Sequence, residues 1–347
     1  MTFPHAFPIF IFGPARGGTS IVSNTLRLHP LVRISLRESR FIDRIPIWTK
    51  RGLPGPIVFE SIKHQLTRAL SRCTEFDRPI TESDDFRKLN QLTEEFVKSR
   101  DEPLAWRLYA QLLHRIGEVT NANADNQRLL DKSNSWWTIA TVAKIFPNAQ
   151  LLIVLRDPRD LALTHAKLAH HESRLDTIVK NALYWRRFAR LGKKFHQSEP
   201  QRAHIVGYED FVCKQPATLL GLCENLHLRG TSTSMVVDML DRAHGHLSFD
   251  PQMQNQGLSS VAVERWREQM IDQEVAIVEA ICGVDLFNYF GYRVESTSSD
   301  RSRALSCLAR SYRLATRALI DRISSDKVFT KILRHRIPIN WHEDTSN

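Results

Sequence analysis

Continuous apolar runs alternate along this chain with stretches in which apolar residues recur every three or four positions. Pro8 to Phe12 (PIFIF) and Gln150 to Leu155 (QLLIVL) are runs of strand length with no solvent-facing alternation, which predicts parallel strands buried on both faces. A glycine-rich turn follows the first. Ile21, Val22, Thr25 and Leu26 then recur at helical spacing until His29-Pro30 ends them. Further strands are expected at 31–35, 128–130 and 203–206, and helices at 136–146, 161–170, 175–191 and 217–226. Trp136 and Trp137 fall at helical spacing with Ile139, Ala140 and Ala143 and read as core. Strands that alternate with helices imply a parallel sheet with helices on both faces.

Between 54 and 126 the pattern turns polar, with helical patches at 62–70 and 106–116 and no convincing strand, so this segment reads as a helical insertion over the sheet. Ser296 to Arg303 (STSSDRSR) has linker composition. Beyond it, Leu305, Leu308, Tyr312, Ala315 and Leu319 form one stripe, while Arg303, Arg310, Arg313 and Arg317 lie elsewhere around the same helix. The organisation expected is an α/β domain over 1–295, carrying the 54–126 insertion as the acceptor-pocket region, and a basic helical tail over 296–347. Packing on its own domain or on a partner subunit is the plain reading of that tail; contact with an acidic membrane surface is the other.

Composition narrows the class. The 347 residues are 42% hydrophobic and 25% charged, which excludes a disordered or collagen-like chain. Five cysteines without a CxxC pair argue against a disulfide framework and a cysteine zinc site. No stretch reaches the roughly 18 apolar residues of a membrane helix, and the uncharged first fifteen residues lack the basic start of a signal sequence, so a cytoplasmic protein is expected. Net charge is +10, but the residues from Arg301 onward hold ten Lys or Arg against four Asp or Glu, so the tail carries most of it. No basic run interleaved with aromatics suggests nucleic acid.

Two motifs carry chemistry. The first is GPARGGTS, Gly13 to Ser20, at a strand-to-helix turn where backbone N–H groups and a helix dipole can face an anion. It has the Walker spacing at Gly13, Gly18 and Ser20, yet Thr19 stands where a triphosphatase needs lysine, and Arg16 offers a cation from within the loop. The second is LLIVLRDPRDLALTH, Leu151 to His165, with Arg156 at the strand end and Thr164 in the following helix. Arginine and hydroxyl could grip a second phosphate. A surface pair of Asp157 with Arg159 or Arg156 is the bland alternative, and Asp157 also admits a magnesium-binding role after an apolar strand.

Together these motifs resemble the nucleotide-binding signatures of sulfotransferases that use 3′-phosphoadenosine 5′-phosphosulfate (PAPS). RGGTS at Arg16 to Ser20 is similar to that family's RSGTT-like loop for the 5′-phosphosulfate, and RDPRD at Arg156 to Asp160 to its 3′-phosphate site, with Thr164 in place of a serine. Further landmarks follow in order: LHP at Leu28 to Pro30, LLDKSNS at Leu129 to Ser135 where the family often has EKTP, IFPNAQLL at Ile145 to Leu152, YEDF at Tyr208 to Phe211, ERWRE at Glu264 to Glu268 and FGY at Phe290 to Tyr292.

The resemblance implies a P-loop-like α/β fold and metal-free sulfuryl transfer from PAPS to a hydroxyl or amine of a small-molecule, carbohydrate, lipid or peptide acceptor. By the same resemblance Arg16, Gly17, Gly18, Thr19, Ser20, Arg156 and Thr164 bind the donor and Tyr208 lies against its adenine. Lys132 and Arg16 stabilise the leaving oxygen. Glu38, in LRESRF, matches the branch with a glutamate general base, and His114 or His165 stand in for the branch that uses histidine. Arg265 and Arg267 flank Trp266 and are candidates to close over the nucleotide. Two other classes compete: a P-loop kinase or triphosphatase using ATP and magnesium, and a non-catalytic nucleotide-fold protein that binds membranes or polyanions through its tail.

Overall fold

A computed structural model describes residues 8–32, 34–35, 41–49, 54–71, 84–101, 104–109, 128–169, 172–243 and 260–311. Its centre is a five-stranded, wholly parallel sheet of β1 (Ile9–Phe12), β2 (Ile34–Ser35), β3 (Leu129–Ser133), β4 (Gln150–Leu155) and β5 (Ala203–Gly207), in the spatial order β2-β3-β1-β4-β5. The alternation of strands and helices thus produces the expected α/β architecture. All residues of β1, β3 and β4 are buried, because helices cover both faces.

Successive residues of a strand enter opposite cores. Phe10, Phe12, Leu151, Ile153 and Leu155 pack on one side with α5 (Ile139–Ile145), α6 (Pro158–Leu168), α7 (Arg174–Ser198) and α11 (Asp272–Cys282). Ile9, Ile11, Leu130, Leu152 and Val154 pack on the other with α1 (Thr19–Leu26), α9 (Gln215–Asn225) and α10 (Thr233–Arg242). Between α7 and α11 the chain also forms α8 (Tyr208–Cys213), and after α11 come α12 (Val284–Tyr289) and α13 (Ser298–Ser311). Of the insertion, α3 (Gly55–Ser71), α4 (Asp84–Ser99) and a helical piece at 104–109 are described, preceded by α2 (Phe41–Trp48). No strand occurs among its described residues.

Strand order fixes where a ligand belongs. From β1 the chain goes to β2 on one side, and from β3 it crosses β1 to reach β4 on the other. The carboxyl end of β1 is therefore a switch point, with a crevice outside the sheet. Phe12 lies opposite both Ser133 and Ile153, so the three strands end almost level around it.

Three local expectations differ. Residues 136–138 form a tight 3₁₀ turn before α5, which rotates the tryptophans out of one helical stripe: Trp136 packs at the core edge, but Trp137 is 45% exposed. Strand β3 runs on through Asp131, Lys132 and Ser133 instead of ending at Leu130. Ser296 to Arg303 is not extended: buried Glu279 accepts the N–H groups of Glu295 and Ser296, and α13 starts at Ser298, packing Ala304 and Leu308 into the core. Tail residues beyond 311 lie outside the described residues. Among those described, no helix is long and apolar enough to cross a membrane, and Cys213, Cys223, Cys282 and Cys307 are free thiols.

Candidate functional site

The turn after β1 is built by close approach of backbone. A Cβ on Gly13 would stand 2.4 Å from the Val154 carbonyl oxygen, so only glycine lets this loop pass over β4. Gly17 donates its N–H to Pro14 at 2.9 Å, Arg16 is left-handed at φ 64°, and Gly18 is left-handed at φ 94°. Gly18 caps α1, and among the described residues no side chain caps the helix's first N–H groups. Those donors and the positive end of the helix face the crevice at the switch point, an arrangement suited to an anion.

Neighbouring strands supply the side chains. Buried Lys132 projects from β3 and donates from Nζ to Ser20 Oγ at 2.9 Å. Thr19 donates to Asn134 Oδ1 at 3.3 Å, and the Asn134 carbonyl accepts the Tyr184 hydroxyl. Thr19 and Ser20 are thus tied to the end of β3, with an ammonium on the loop although the loop has no lysine. Ser133 turns to the opposite face and donates to Asp43 of α2.

Arg156 follows β4 and is buried, its guanidinium 5.0 Å from the centre of the Tyr208 ring and donating to the Ala262 carbonyl. Asp160 is at 4.0 Å, but its oxygens already accept the N–H groups of Glu264 and Trp266 at 2.8 and 3.0 Å. Arg156 Nε–H has no partner among the described residues. Such a buried donor costs about 1–3 kcal/mol until something accepts from it. Tyr208 also touches the loop, since a Cβ on Gly18 would lie 2.5 Å from Tyr208 Cδ2. Thr164, half-buried one turn into α6, donates to Asp160's carbonyl at 2.7 Å.

The second arginine of RDPRD does different work. Arg159 is held by Asp157 through Nε at 3.0 Å and Nη2 at 2.7 Å, and by Glu279 at 2.8 Å, with its guanidinium 3.7 Å from the Trp266 ring centre. This fully enclosed cluster fastens α6 to the C-terminal helices. Asp157 is therefore neither a surface partner nor turned toward the β1 loop, as a magnesium role would require. Arg267 pairs with Glu264 and Glu295 at the surface.

His165 is buried and donates from Nε2 to the Ala15 carbonyl at 3.0 Å, bracing the loop from below. Burial, with Arg16, Lys180 and Arg156 nearby, depresses it to about 4 against the opposing hydrogen bond. At neutral pH its ring is uncharged and its Nε2 proton is engaged. Glu38 and His114 lie outside the described residues, as does Cys73.

The structure thus brings together Gly17, Gly18, Thr19, Ser20, Lys132, Arg156 and Tyr208, while the Thr164 hydroxyl on α6 is bonded to the Asp160 carbonyl. The roles of Asn134, the Ala262 carbonyl, His165 as a brace and Glu209 escape the sequence reading. Asn134, His165 and Glu209 do lie in the quoted strings LLDKSNS, LLIVLRDPRDLALTH and YEDF, and only Ala262 lies in no motif.

A family model described as the sulfotransferase family matches residues 8–232, more than half of the 347. The chain belongs to the sulfotransferase family. The match covers both motifs and every strand of the sheet. Among solved structures, this sulfotransferase-family chain is similar to the sulfotransferase domain of the Synechococcus PCC 7002 olefin synthase, at 16% identity and a TM-score of 0.52, covering 84% of this chain and 98% of that one. The sulfotransferase domain from the curacin biosynthetic pathway matches at 16% identity and TM-score 0.48, covering 88% and 98%. Sulfotransferase STF9 from Mycobacterium avium matches at 15% and 0.46, covering 84% and 79%. At these identities the likeness is one of fold. No curated protein sequence matches the chain.

Proposed function

We propose that this chain transfers a sulfuryl group from PAPS to a hydroxyl or amine of an acceptor bound beside the 54–126 insertion. The observation that carries the donor assignment is Arg156, a buried guanidinium at the strand end whose Nε–H has no partner among the described residues, next to a helix N-terminus that none of their side chains caps. Two anion sites stand side by side at one switch point, and a nucleotide with phosphates at both ends of its ribose needs two. The residues fit the donor. Gly18 lets the loop close directly against the Tyr208 ring, which sits between the loop and Arg156.

Bound there, PAPS would supply an activated sulfuryl group on a mixed anhydride. The chain's own part is positioning and charge. The 13–18 loop and the first N–H groups of α1 hold the 5′-phosphosulfate, and Arg156 with Thr164 holds the 3′-phosphate. Lys132, already aimed at Ser20, and Arg16 neutralise charge on the oxygen that is left behind. Glu38 takes the acceptor proton. The kinase reading loses its acid, because Asp157 is committed to Arg159.

Calorimetric titration with adenosine 3′,5′-bisphosphate (PAP) and with ATP plus magnesium tests this. PAP should bind in excess chelator and ATP far more weakly. Tight ATP binding that needs magnesium, with none for PAP, would overturn the proposal.

A further inference from the structure

Glu209 holds the chain at the point where Arg156 is aimed. Strands β4 and β5 run parallel with Leu155 opposite Gly207, so the two strand-end turns emerge side by side. Glu209 Oε1 accepts the N–H of Asp157, the residue after Arg156, at 2.7 Å, and Oε2 accepts the Tyr292 hydroxyl at 3.2 Å. Trp185 grips the other side, donating Nε1–H to the Arg156 carbonyl at 2.8 Å. The single peptide group that joins Arg156 to Asp157 is thus held through both its N–H and its carbonyl, and one of those two anchors can ionise.

We propose that Glu209 is a positioning residue for the donor's second phosphate, holding the Arg156 turn in place and taking a proton from solvent when a phosphate dianion arrives against that arginine. The inference rests on the donor reading above. The charged and titratable groups around the carboxyl are Arg156, Asp157 and Asp160 from the β4 end and α6, Tyr208 beside it, and Tyr292 from the segment after α12. Arg156 is the cation facing it. Burial, aided by Asp157, pushes Glu209 up to about 7, against Arg156 and the two backbone N–H bonds that favour the carboxylate. A dianion that engages Arg156 weakens that support and adds repulsion, which raises the carboxyl further. The protonated form still accepts the Asp157 N–H through its carbonyl oxygen, so the turn keeps its shape. A free nucleotide phosphate titrates near 6, and losing a proton from it on binding would have the opposite sign.

PAP binding measured calorimetrically at pH 7.5 in buffers of differing ionisation enthalpy counts the protons exchanged. Wild type should take up about 0.3–0.7 proton per PAP, and adenosine 5′-phosphate, which lacks the second phosphate, close to none. Glu209→Gln keeps an acceptor for Asp157 without titrating, so uptake should vanish while affinity at pH 7.5 stays within about threefold. Glu209→Ala removes the anchor and should weaken PAP about tenfold at every pH. Normal PAP binding by wild type with no proton uptake, or equal uptake by Glu209→Gln, would overturn this inference while leaving the donor reading intact. Failure of wild type to bind PAP at all would overturn both. The wild-type measurement decides even if the variants do not fold.

Discussion

Replacing Gly18 by alanine strikes the loop, the tyrosine and the arginine at once. At φ 94° and ψ 0° the residue is left-handed, which costs an L side chain about 1–2 kcal/mol. The added Cβ would also sit 2.5 Å from Tyr208 Cδ2 and 3.2 Å from Cγ. Relieving that overlap moves a buried ring packed with Val212 and Ala262, for which overpacking costs of about 1–3 kcal/mol are usual. The Tyr208 ring carries the Arg156 guanidinium 5.0 Å from its centre, so a displaced ring shifts the phosphate grip as well. Gly230 supplies the control: it too is left-handed, at φ 77°, but a Cβ there meets nothing within 4 Å. In urea titrations Gly230→Ala should lose only the backbone share, about 1–2 kcal/mol, and bind PAP normally. Gly18→Ala should lose about 2–5 kcal/mol and weaken PAP at least tenfold. Matching stability and PAP affinity in the two variants would refute the claim that this glycine exists to admit Tyr208.

His165 gives a pH signature: its folded value of about 4 lies below the ordinary 6.5, so the unfolded chain binds the extra proton and stability falls as pH drops from 6.5 toward 4. That stretch corresponds to up to about 3 kcal/mol, and His165→Gln should remove this part of the slope in urea unfolding at pH 7 and pH 4.5. Lys132→Ala should lower kcat by about 10²-fold or more through loss of charge at the leaving oxygen, and an unchanged rate would remove it from the mechanism. Glu38→Gln should cut transfer by about 10² to 10⁴-fold with PAP affinity nearly unchanged. A wild-type rate would move the base elsewhere.

Strands β1 and β4 were legible because burial on both faces leaves them apolar apart from Gln150 at the start of β4. Only the start of β3 was, since its continuation through Asp131, Lys132 and Ser133 is a fully buried strand whose polar side chains are bonded by Tyr109, Ser20 and Asp43. Those partners lie between 22 and 112 residues away, and no local pattern announces them. The two arginines of RDPRD look equivalent in sequence, yet Arg159 is enclosed by two carboxylates and a tryptophan while Arg156 Nε–H has no partner among the described residues. Serine-rich composition concealed the start of α13 for a similar reason, because the acceptor for its preceding N–H groups is Glu279 on another helix. The phosphate loop was legible because its chemistry resides in backbone, which only glycines at fixed spacing can expose.

The account stands on Arg156 as the recognition point for a 3′-phosphate. The direct test compares PAP and adenosine 5′-phosphate on wild type and Arg156→Ala in the presence of chelator. Loss of a charge-assisted contact of about 1.5–3 kcal/mol should weaken PAP by about 10- to 150-fold and leave adenosine 5′-phosphate almost unaffected. Equal binding of the two nucleotides by wild type, unchanged by the substitution, would contradict it.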